Sequence, residues 1–273
     1  MRMGLSAILV AICAAGSAQA KDSHDGTMTT LVTADETRGW EGVGRLNMGK
    51  SGFCTASLIS PTFVLTAAHC LFDKTTGAAY DPGSMEFLAG WRNGRAVAYR
   101  GIRRAIPHPD YVYEGPDKMD RVAYDLAILE LDQPIRLPSI KPFKTDHDPH
   151  EGDAVGVVSY ALDRSEAPSL QKNCHVLERQ TDVLVLSCNV NFGSSGAPIF
   201  ALDGDEPRIV SVVSAKAEMG DDVVALGTAM EEPLAVLMQE VGKDTAGYRR
   251  VKPAVSTLMS TAPVSGGAKF LKP

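Results

Sequence analysis

The protein has 273 residues, a formal net charge of −6 and 44% hydrophobic residues. These values are typical of a soluble globular protein with one or two domains and a sizeable core. The acidic balance gives no reason to expect a nucleic-acid partner.

The first twenty residues have the pattern of a secretory signal peptide. Arg2 gives a basic start, residues 5–15 form an apolar run, and AQA at residues 18–20 is a small-x-small cleavage site. A membrane anchor is the alternative, but the run is well short of the ~20 apolar residues that a spanning helix needs. No later stretch is apolar enough to cross a bilayer. We therefore expect a mature chain that is exported to the periplasm or the medium, without stable membrane insertion.

The cysteines predict two disulfide bonds. Of the five cysteines, Cys13 lies in the predicted signal peptide and four remain, an even number that indicates disulfides in an exported chain. Pairing of sequence neighbours gives Cys54–Cys70 and Cys174–Cys188, and each bond closes a loop of about 15 residues. A four-cysteine metal site is the alternative, but the chain has no C-x-x-C pair.

Short apolar or alternating runs follow one another from VGRLNM at residues 43–48 to VVALGTAM at residues 223–230. Most are bounded by Gly, Pro, Asp or Asn, so they predict strands joined by turns. Because helical periodicity is almost absent, we expect an all-β protein, either a sandwich or a pair of barrels. A Pro-rich stretch at residues 132–153 separates two groups of strands.

The C-terminal part has a different pattern. One helix is predicted at residues 230–243, where acidic residues and Pro233 stand at the start, as the helix dipole and proline's fixed φ favour. Residues 244–273 are basic and rich in Ala, Ser, Gly and Pro, so we expect a weakly ordered tail there.

One segment indicates a fixed catalytic base. Residues 52–70, GFCTASLISPTFVLTAAHC, contain a strand, a Ser-Pro turn, a second strand and then His69 beside Cys70. The predicted disulfide to Cys54 would tie the turn of His69 back to the preceding strand.

Three further segments complete a set of motifs: AIPHPDY at residues 105–111, YDLAILEL at residues 124–131 and GSSGAP at residues 193–198. Together with the histidine segment, they resemble the chymotrypsin/trypsin family of serine endopeptidases, in the family's order of His, Asp and Ser. The resemblance covers roughly residues 38–240 and is closest in style to the compact bacterial branch that is similar to glutamyl endopeptidases.

The resemblance implies two antiparallel β-barrels of the chymotrypsin type with a C-terminal helix. The predicted organisation is a signal peptide at 1–20, an N-terminal extension or propeptide at 21–37, an N-terminal barrel at 38–141, a linker at 142–151, a C-terminal barrel with the helix at 152–243, and the tail at 244–273.

The resemblance also implies catalytic roles. Ser195 would be the nucleophile, His69 would take its proton and pass it to the leaving amine, and Asp125 would hold the imidazole. The N–H groups of Gly193 and Ser195 would bind the oxyanion. The expected partner is a polypeptide substrate, and no cofactor is implied. A catalytically silent binding protein on the same fold is the alternative, but such proteins usually lose a triad residue or the glycine.

Ser194 departs from the trypsin pattern, which has Asp at this place to pair with a new N-terminal ammonium after activation. A serine cannot form that ion pair, and the N-terminal region has no Ile-Val-Gly-Gly start. We therefore expect no trypsin-style insertion of the N-terminus.

The specificity pocket is predicted by resemblance alone, with its floor near Asn189 and its walls at Val213, Ser214, Ala215, Lys216, Gly227 and Thr228. No Asp stands at the floor, which argues against a preference for Lys or Arg. Glutamyl-specific relatives place a histidine where this chain has Val213, which makes a preference for Glu doubtful. Lys216 could attract an acidic side chain, although such a lysine is more often solvated. Ser214 is expected to hydrogen-bond Asp125.

The sequence holds two groups of possible metal ligands, of which the first is expected to lie in a solvated loop. His147 and His150 stand among acids in the predicted linker, whereas Asp73, Asp81 and Glu86 lie where some relatives hold calcium. Their spacing matches no site that the sequence supports, so no metal is predicted.

Overall fold

A computed structural model describes residues 27–49, 51–114, 118–146 and 149–243, together with the backbone of residues 269–270. The predicted signal peptide lies outside the described residues, as does most of the predicted tail. In the part of the chain that is described, no helix has the length and apolar character to span a bilayer.

A short strand, β1 (Thr29–Thr30), precedes a first barrel of six strands. Strands β2 to β7 lie at Val43–Met48, Phe53–Leu58, Phe63–Thr66, Met85–Ala89, Ala98–Pro107 and Ala127–Leu131. They are antiparallel to their neighbours and close in the order β2-β3-β4-β7-β6-β5. Full closure pairs both edges of each strand, so the first barrel has no free edge.

Six more strands, β9 to β14, form a second barrel. Strand β8 lies at Lys144–Thr145, and β9 to β14 lie at Ala154–Ala161, Arg164–Gln180, Val183–Leu186, Pro198–Ala201, Arg208–Met219 and Asp222–Ala229. The barrel closes in the order β9-β10-β11-β14-β13-β12 because β10 is long enough to pair with both β9 and β11. Strand β8 and a last short strand, β15 (Lys269–Phe270), add to β13.

Two α-helices complete the described fold: α1 (Lys118–Ala123), before β7, and α2 (Glu231–Gly242), after β14. Acidic side chains fill the first turn of α2, where they face the positive end of the helix dipole. The predicted all-β fold of two antiparallel barrels with a C-terminal helix is therefore confirmed, as are both disulfides, Cys54–Cys70 and Cys174–Cys188.

The two barrels are joined by an aromatic cluster of Trp40, Phe143 and Phe200. The Phe200 ring lies 5.2 Å from Trp40 and 4.9 Å from Phe143, both in edge-to-face geometry, which aromatic rings prefer. Because these residues lie before, between and within the barrels, their contacts fix the relative position of the two halves.

The described part of the N-terminal extension packs on the second barrel. Strand β1 pairs with Leu170 and Ser169 of β10, and the N–H of Leu31 donates to the carbonyl of Pro168 at 2.8 Å. The Leu31 side chain is buried. From β1 onward, the extension is an integral part of the fold.

Candidate active site

His69 lies on a single 3₁₀ turn, Ala68–Leu71, that follows strand β4. The disulfide between Cys54 and Cys70 joins this turn to strand β3. Since the residue next to His69 is bonded covalently to the strand that neighbours β4, the backbone of the histidine is held close to the barrel wall.

Asp125 lies between α1 and β7, and its side chain is only 3% exposed. A buried carboxylate is costly unless its oxygens accept hydrogen bonds. Here Oδ2 accepts from Nδ1 of His69 at 2.6 Å, and Oδ1 accepts from the backbone N–H of His69 at 2.8 Å. The Ser214 hydroxyl also donates to Oδ2. With its Nδ1–H directed at Asp125, the neutral imidazole has Nε2 left as an acceptor.

Ser195 ends a tight turn, residues 191–195, which we call the serine loop. Its Gly193 has a φ of +95°, a left-handed conformation that favours glycine. A Cβ at this position would also lie 2.5 Å from the Phe53 ring and 3.1 Å from Cα of Ala161. Both the backbone conformation and the close packing therefore require glycine here.

The amide of Gly193 has a fixed direction. In the preceding peptide unit, the carbonyl of Phe192 accepts from the N–H of Leu162 at 2.8 Å. The N–H of a trans peptide points away from the carbonyl of the same unit, so the Gly193 N–H is turned away from Leu162. The Gly193 N–H donates no hydrogen bond to any atom of the described residues.

The amide of Ser195 is arranged in the same way. The carbonyl of Ser194 accepts from the N–H of Ala197 at 2.9 Å, and the Ser195 N–H has no acceptor within the described chain. Two oriented N–H groups without partners, on either side of one residue, can donate to a single anionic oxygen.

The Ser194 side chain is fully buried, and its hydroxyl accepts from the backbone N–H of Asn191 at 3.3 Å. Its hydroxyl lies 3.3 Å from the Ser159 hydroxyl and 3.3 Å from the carbonyl of Tyr160. Nη2 of Arg164 lies 3.4 Å away, and the same nitrogen donates to Ser159 at 3.0 Å. A hydroxyl network thus occupies the place where trypsin-type enzymes form an ion pair.

A cavity of about 180 Å³ lies beside the serine loop, lined by Met28, Thr30, Asp163, Arg164, Asn189, Asn191 and Lys216. Two of the predicted pocket residues, Asn189 and Lys216, are therefore brought together at this cavity. Met28 and Thr30 come from the N-terminal segment, which the sequence did not associate with the site.

The other predicted pocket residues lie within the second barrel. Val213 and Thr228 are buried, and the register pairs Val213 with Gly227 and Ala215 with Leu226. The Thr228 hydroxyl donates to the carbonyl of Val122 at 2.6 Å. These side chains shape the barrel, whereas Ser214 contacts Asp125.

No sequence motif marks Arg164, yet its side chain is 13% exposed and lies at the cavity. Burial lowers the pKa of its guanidinium, and the charge of Asp163, 3.6 Å away, opposes that effect. Nε of Arg164 also lies 3.1 Å from the sulfur of Met28. A cation buried with so loose a counter-ion favours an anionic occupant of the cavity.

Cys54, His69 and Cys70 are the only group of potential metal ligands clustered within the described ranges. Both sulfurs are used in the disulfide, so this group does not constitute a metal site. Asp73 instead accepts from the backbone N–H groups of Thr75 and Thr76, both at 2.9 Å. His147 lies outside the described residues.

Comparison with known structures and sequences agrees with this geometry. The solved structure titled "Structure of Glu endopeptidase in complex with MPD" superposes with a TM-score of 0.66 at 17% identity, covering 80% of this chain and 97% of the other. This similarity shows that the fold is of the chymotrypsin type.

Curated relatives align over shorter stretches. They include glutamyl endopeptidase of Bacillus licheniformis, 25% identical over 55% of this chain and 45% of the relative. Trypsin of Simulium vittatum is 40% identical over 30% of this chain and 28% of its own length. Suppressor of tumorigenicity 14 protein homolog of Bos taurus is 36% identical over 32% of this chain and 10% of its own length.

Each alignment thus spans less than half of the relative. The family model described as Trypsin matches residues 33–228, which include His69, Asp125, Ser195 and both barrels except for the last residue of β14. This protein belongs to the trypsin family.

Proposed function

We propose that this protein is an exported serine endopeptidase that hydrolyses peptide bonds through a triad of His69, Asp125 and Ser195. The observation that carries the proposal is the 2.6 Å contact between His69 Nδ1 and Asp125, beside a serine loop with two free amides. Membership of the trypsin family and the protease names of the relatives support the same activity.

The chemistry follows from these groups. His69 takes the proton of Ser195 as the hydroxyl attacks the substrate carbonyl, and Asp125 stabilises the imidazolium. The N–H groups of Gly193 and Ser195 bind the oxyanion of the tetrahedral intermediate. His69 then protonates the leaving amine, and water hydrolyses the acyl-enzyme.

Within the part of the chain that the structure describes, the Ser195 hydroxyl makes no hydrogen bond. Catalytic hydrogen bonds are often long in unliganded enzymes and shorten when the substrate is bound. The proposal therefore includes a serine–histidine contact that forms in the substrate complex.

Export is part of the proposal. Two disulfides are stable in oxidising compartments and rare in the cytosol, and the first twenty residues have the signal-peptide pattern.

The charge of the cavity supports cleavage after an acidic residue. Arg164 and Lys216 both line it, and Asp163 is the one acid among its lining residues. Val213 leaves this place on β13 without a histidine, but Arg164 of β10 and Lys216, also on β13, bring positive charge to the cavity. A relative is named glutamyl endopeptidase.

Labelling with a small fluorophosphonate tests the activity. We expect rapid labelling of the mature wild type and none of Ser195→Ala. A wild type that stays unlabelled, under conditions that label a reference serine protease, would favour a silent binding protein on this fold.

Peptides that differ only at the residue before the scissile bond test the preference. We expect kcat/KM to be at least about tenfold higher for Glu than for Gln, since a buried charged hydrogen bond is worth more than about 1.4 kcal/mol. Lys216→Met should reduce this ratio, whereas Lys172→Met, which removes an exposed lysine of β10, should not. Equal rates for Glu and Gln would refute the acidic preference and leave the peptidase proposal intact.

A further inference from the structure

The serine loop is held by hydrogen bonds that its carbonyl groups accept, and one of these hydrogen bonds comes from a side chain. The carbonyls of Phe192, Ser194 and Ser195 accept from backbone N–H groups. The carbonyl of Gly193 instead accepts from the Thr55 hydroxyl, at 2.8 Å.

Thr55 is placed to bridge the barrels. It lies on β3 of the first barrel and is fully buried. Its hydroxyl accepts from the N–H of Tyr160 in the second barrel at 3.0 Å and donates to Gly193. A hydroxyl has one proton, and the other possible acceptor, the carbonyl of Tyr160, is farther away at 3.4 Å. The backbone N–H of Thr55 also donates to the carbonyl of Ser195 at 2.8 Å.

The same strand therefore holds both halves of the site. Cys54 fixes the turn of His69 through its disulfide, and the next residue, Thr55, contacts the serine loop at Gly193 and Ser195. Successive side chains of a strand point to opposite faces, so one strand can reach both partners.

The loop lacks the ion pair that orients it in trypsin-type enzymes, because Ser194 carries no charge. Apart from a long contact of 3.4 Å from the Arg164 guanidinium to the Ser194 hydroxyl, its orientation comes from hydrogen bonds between neutral groups. If the Thr55 hydroxyl is removed, the carbonyl of Gly193 and the N–H of Tyr160 both lose a buried hydrogen-bond partner, which is unfavourable for each group. If the peptide unit after Gly193 rotates, the carbonyl of Gly193 can find another hydrogen-bond donor, and glycine permits that rotation.

We propose that Thr55 is a positioning residue for catalysis: its side-chain hydroxyl holds the serine loop so that the amides of Gly193 and Ser195 stay directed at the oxyanion. The inference rests on the proposed function. A displacement of about 1 Å from the reactive geometry can cost about 100-fold in rate, so the hydroxyl matters far more for turnover than for substrate binding.

Two pairs of variants test it. Thr55→Val removes the hydroxyl and keeps the branched shape, and Thr55→Ser keeps the hydroxyl. We expect Thr55→Val to lower kcat and the fluorophosphonate labelling rate by about 10- to 100-fold, with KM changed by less than about twofold. Thr55→Ser should stay within about threefold of the wild type. If the valine variant does not fold, Thr55→Ala and Thr55→Ser give the same comparison. These two variants differ by one oxygen, and both have a smaller side chain than valine.

Thr37→Val is the matched control. Thr37 is also a buried threonine, and its one hydroxyl proton has two possible acceptors away from the serine loop, the carbonyls of Thr33 at 3.1 Å and Ala34 at 3.2 Å. It should lower the melting temperature and leave both rates unchanged.

The outcomes separate the two proposals. Folded Thr55→Val with wild-type rates, or Thr55→Ser as slow as Thr55→Val or Thr55→Ala, would overturn the positioning role. A wild type that does not react with the fluorophosphonate would instead refute the proposed function.

Discussion

The two barrels hold their parts of the candidate site by different means. In the first barrel, His69 is secured by a neighbouring disulfide and by two contacts with the buried carboxylate of Asp125. In the second barrel, the serine loop is held by a left-handed glycine and mainly by hydrogen bonds between neutral groups, with one longer contact of 3.4 Å from the Arg164 guanidinium to Ser194. Covalent and charged links resist displacement better than single neutral hydrogen bonds, so we expect the serine loop to be the more easily disturbed half.

The largest effect should come from Asp125→Asn in the first barrel. An amide in place of the carboxylate can present its NH₂ to His69 and reverse the tautomer, which in comparable triads costs about 10⁴-fold in kcat. Steady-state kinetics with a peptide substrate measures the loss. Asp132→Asn, which changes an exposed acid, should retain activity. A loss below about tenfold in Asp125→Asn would show that the carboxylate is not the partner that catalysis needs.

A smaller loss is expected from Gly193→Ala in the second barrel. The new Cβ would crowd Phe53 and strain a φ of +95°, so the loop must shift and an oxyanion donor is displaced. Loss of one such donor costs about 10²- to 10³-fold in kcat. Gly94→Ala is the control, because Gly94 has a φ of +80° but nothing near its Cβ. Equal kinetics for the two variants would argue against a catalytic role for the Gly193 amide.

The disulfides sharpen the contrast between the barrels. Removal of either pair, by Cys54→Ala with Cys70→Ala or by Cys174→Ala with Cys188→Ala, should cost about 2–5 kcal/mol in unfolding free energy, measured by urea denaturation. Below both melting temperatures, only the first double variant should also lower kcat, since only that bond adjoins His69. A matching loss of kcat in the second double variant would mean that the bonds act through general stability.

The smallest effect concerns stability and pH, away from the serine loop. His108 is 2% exposed and stacks on Tyr124 with ring centroids 5.0 Å apart. Burial lowers the pKa of His108 below its ordinary value of 6.5, although nearby acids, Asp110 first, oppose this. The unfolded chain then binds the proton more readily, so the stability from neutral His108 is present above pH 6.5 and declines as the pH falls below it.

The variant His108→Asn tests this sign. At neutral pH it should lose about 1 kcal/mol of stability with the ring contact, and its melting temperature should fall less steeply than that of the wild type from pH 6.5 to pH 5. His150→Asn, at an exposed histidine, should follow the wild-type curve. Parallel curves for wild type and His108→Asn would contradict a role for this titration.

Short-range features of the site could be read from the sequence. The turn of His69 with Cys70, the Asp125 that precedes a strand, and the glycines around Ser195 each occupy a few consecutive residues. Their conformations follow from local rules on turns, glycine and strand alternation, and both disulfide pairs joined sequence neighbours. Closely spaced strands without long helices likewise predicted the all-β fold.

Other features were decided only by the tertiary structure. Arg164 and Met28 stand in no motif, and Thr55 lies in the histidine segment with no sign of its contact with the serine loop; these contacts cross more than a hundred residues of chain. The distance from Thr55 to Gly193 depends on how β3 of one barrel meets the serine loop of the other. Local preferences specify the conformation of each segment, but which distant segments touch is determined by closure of both barrels and packing of the N-terminal segment against the second.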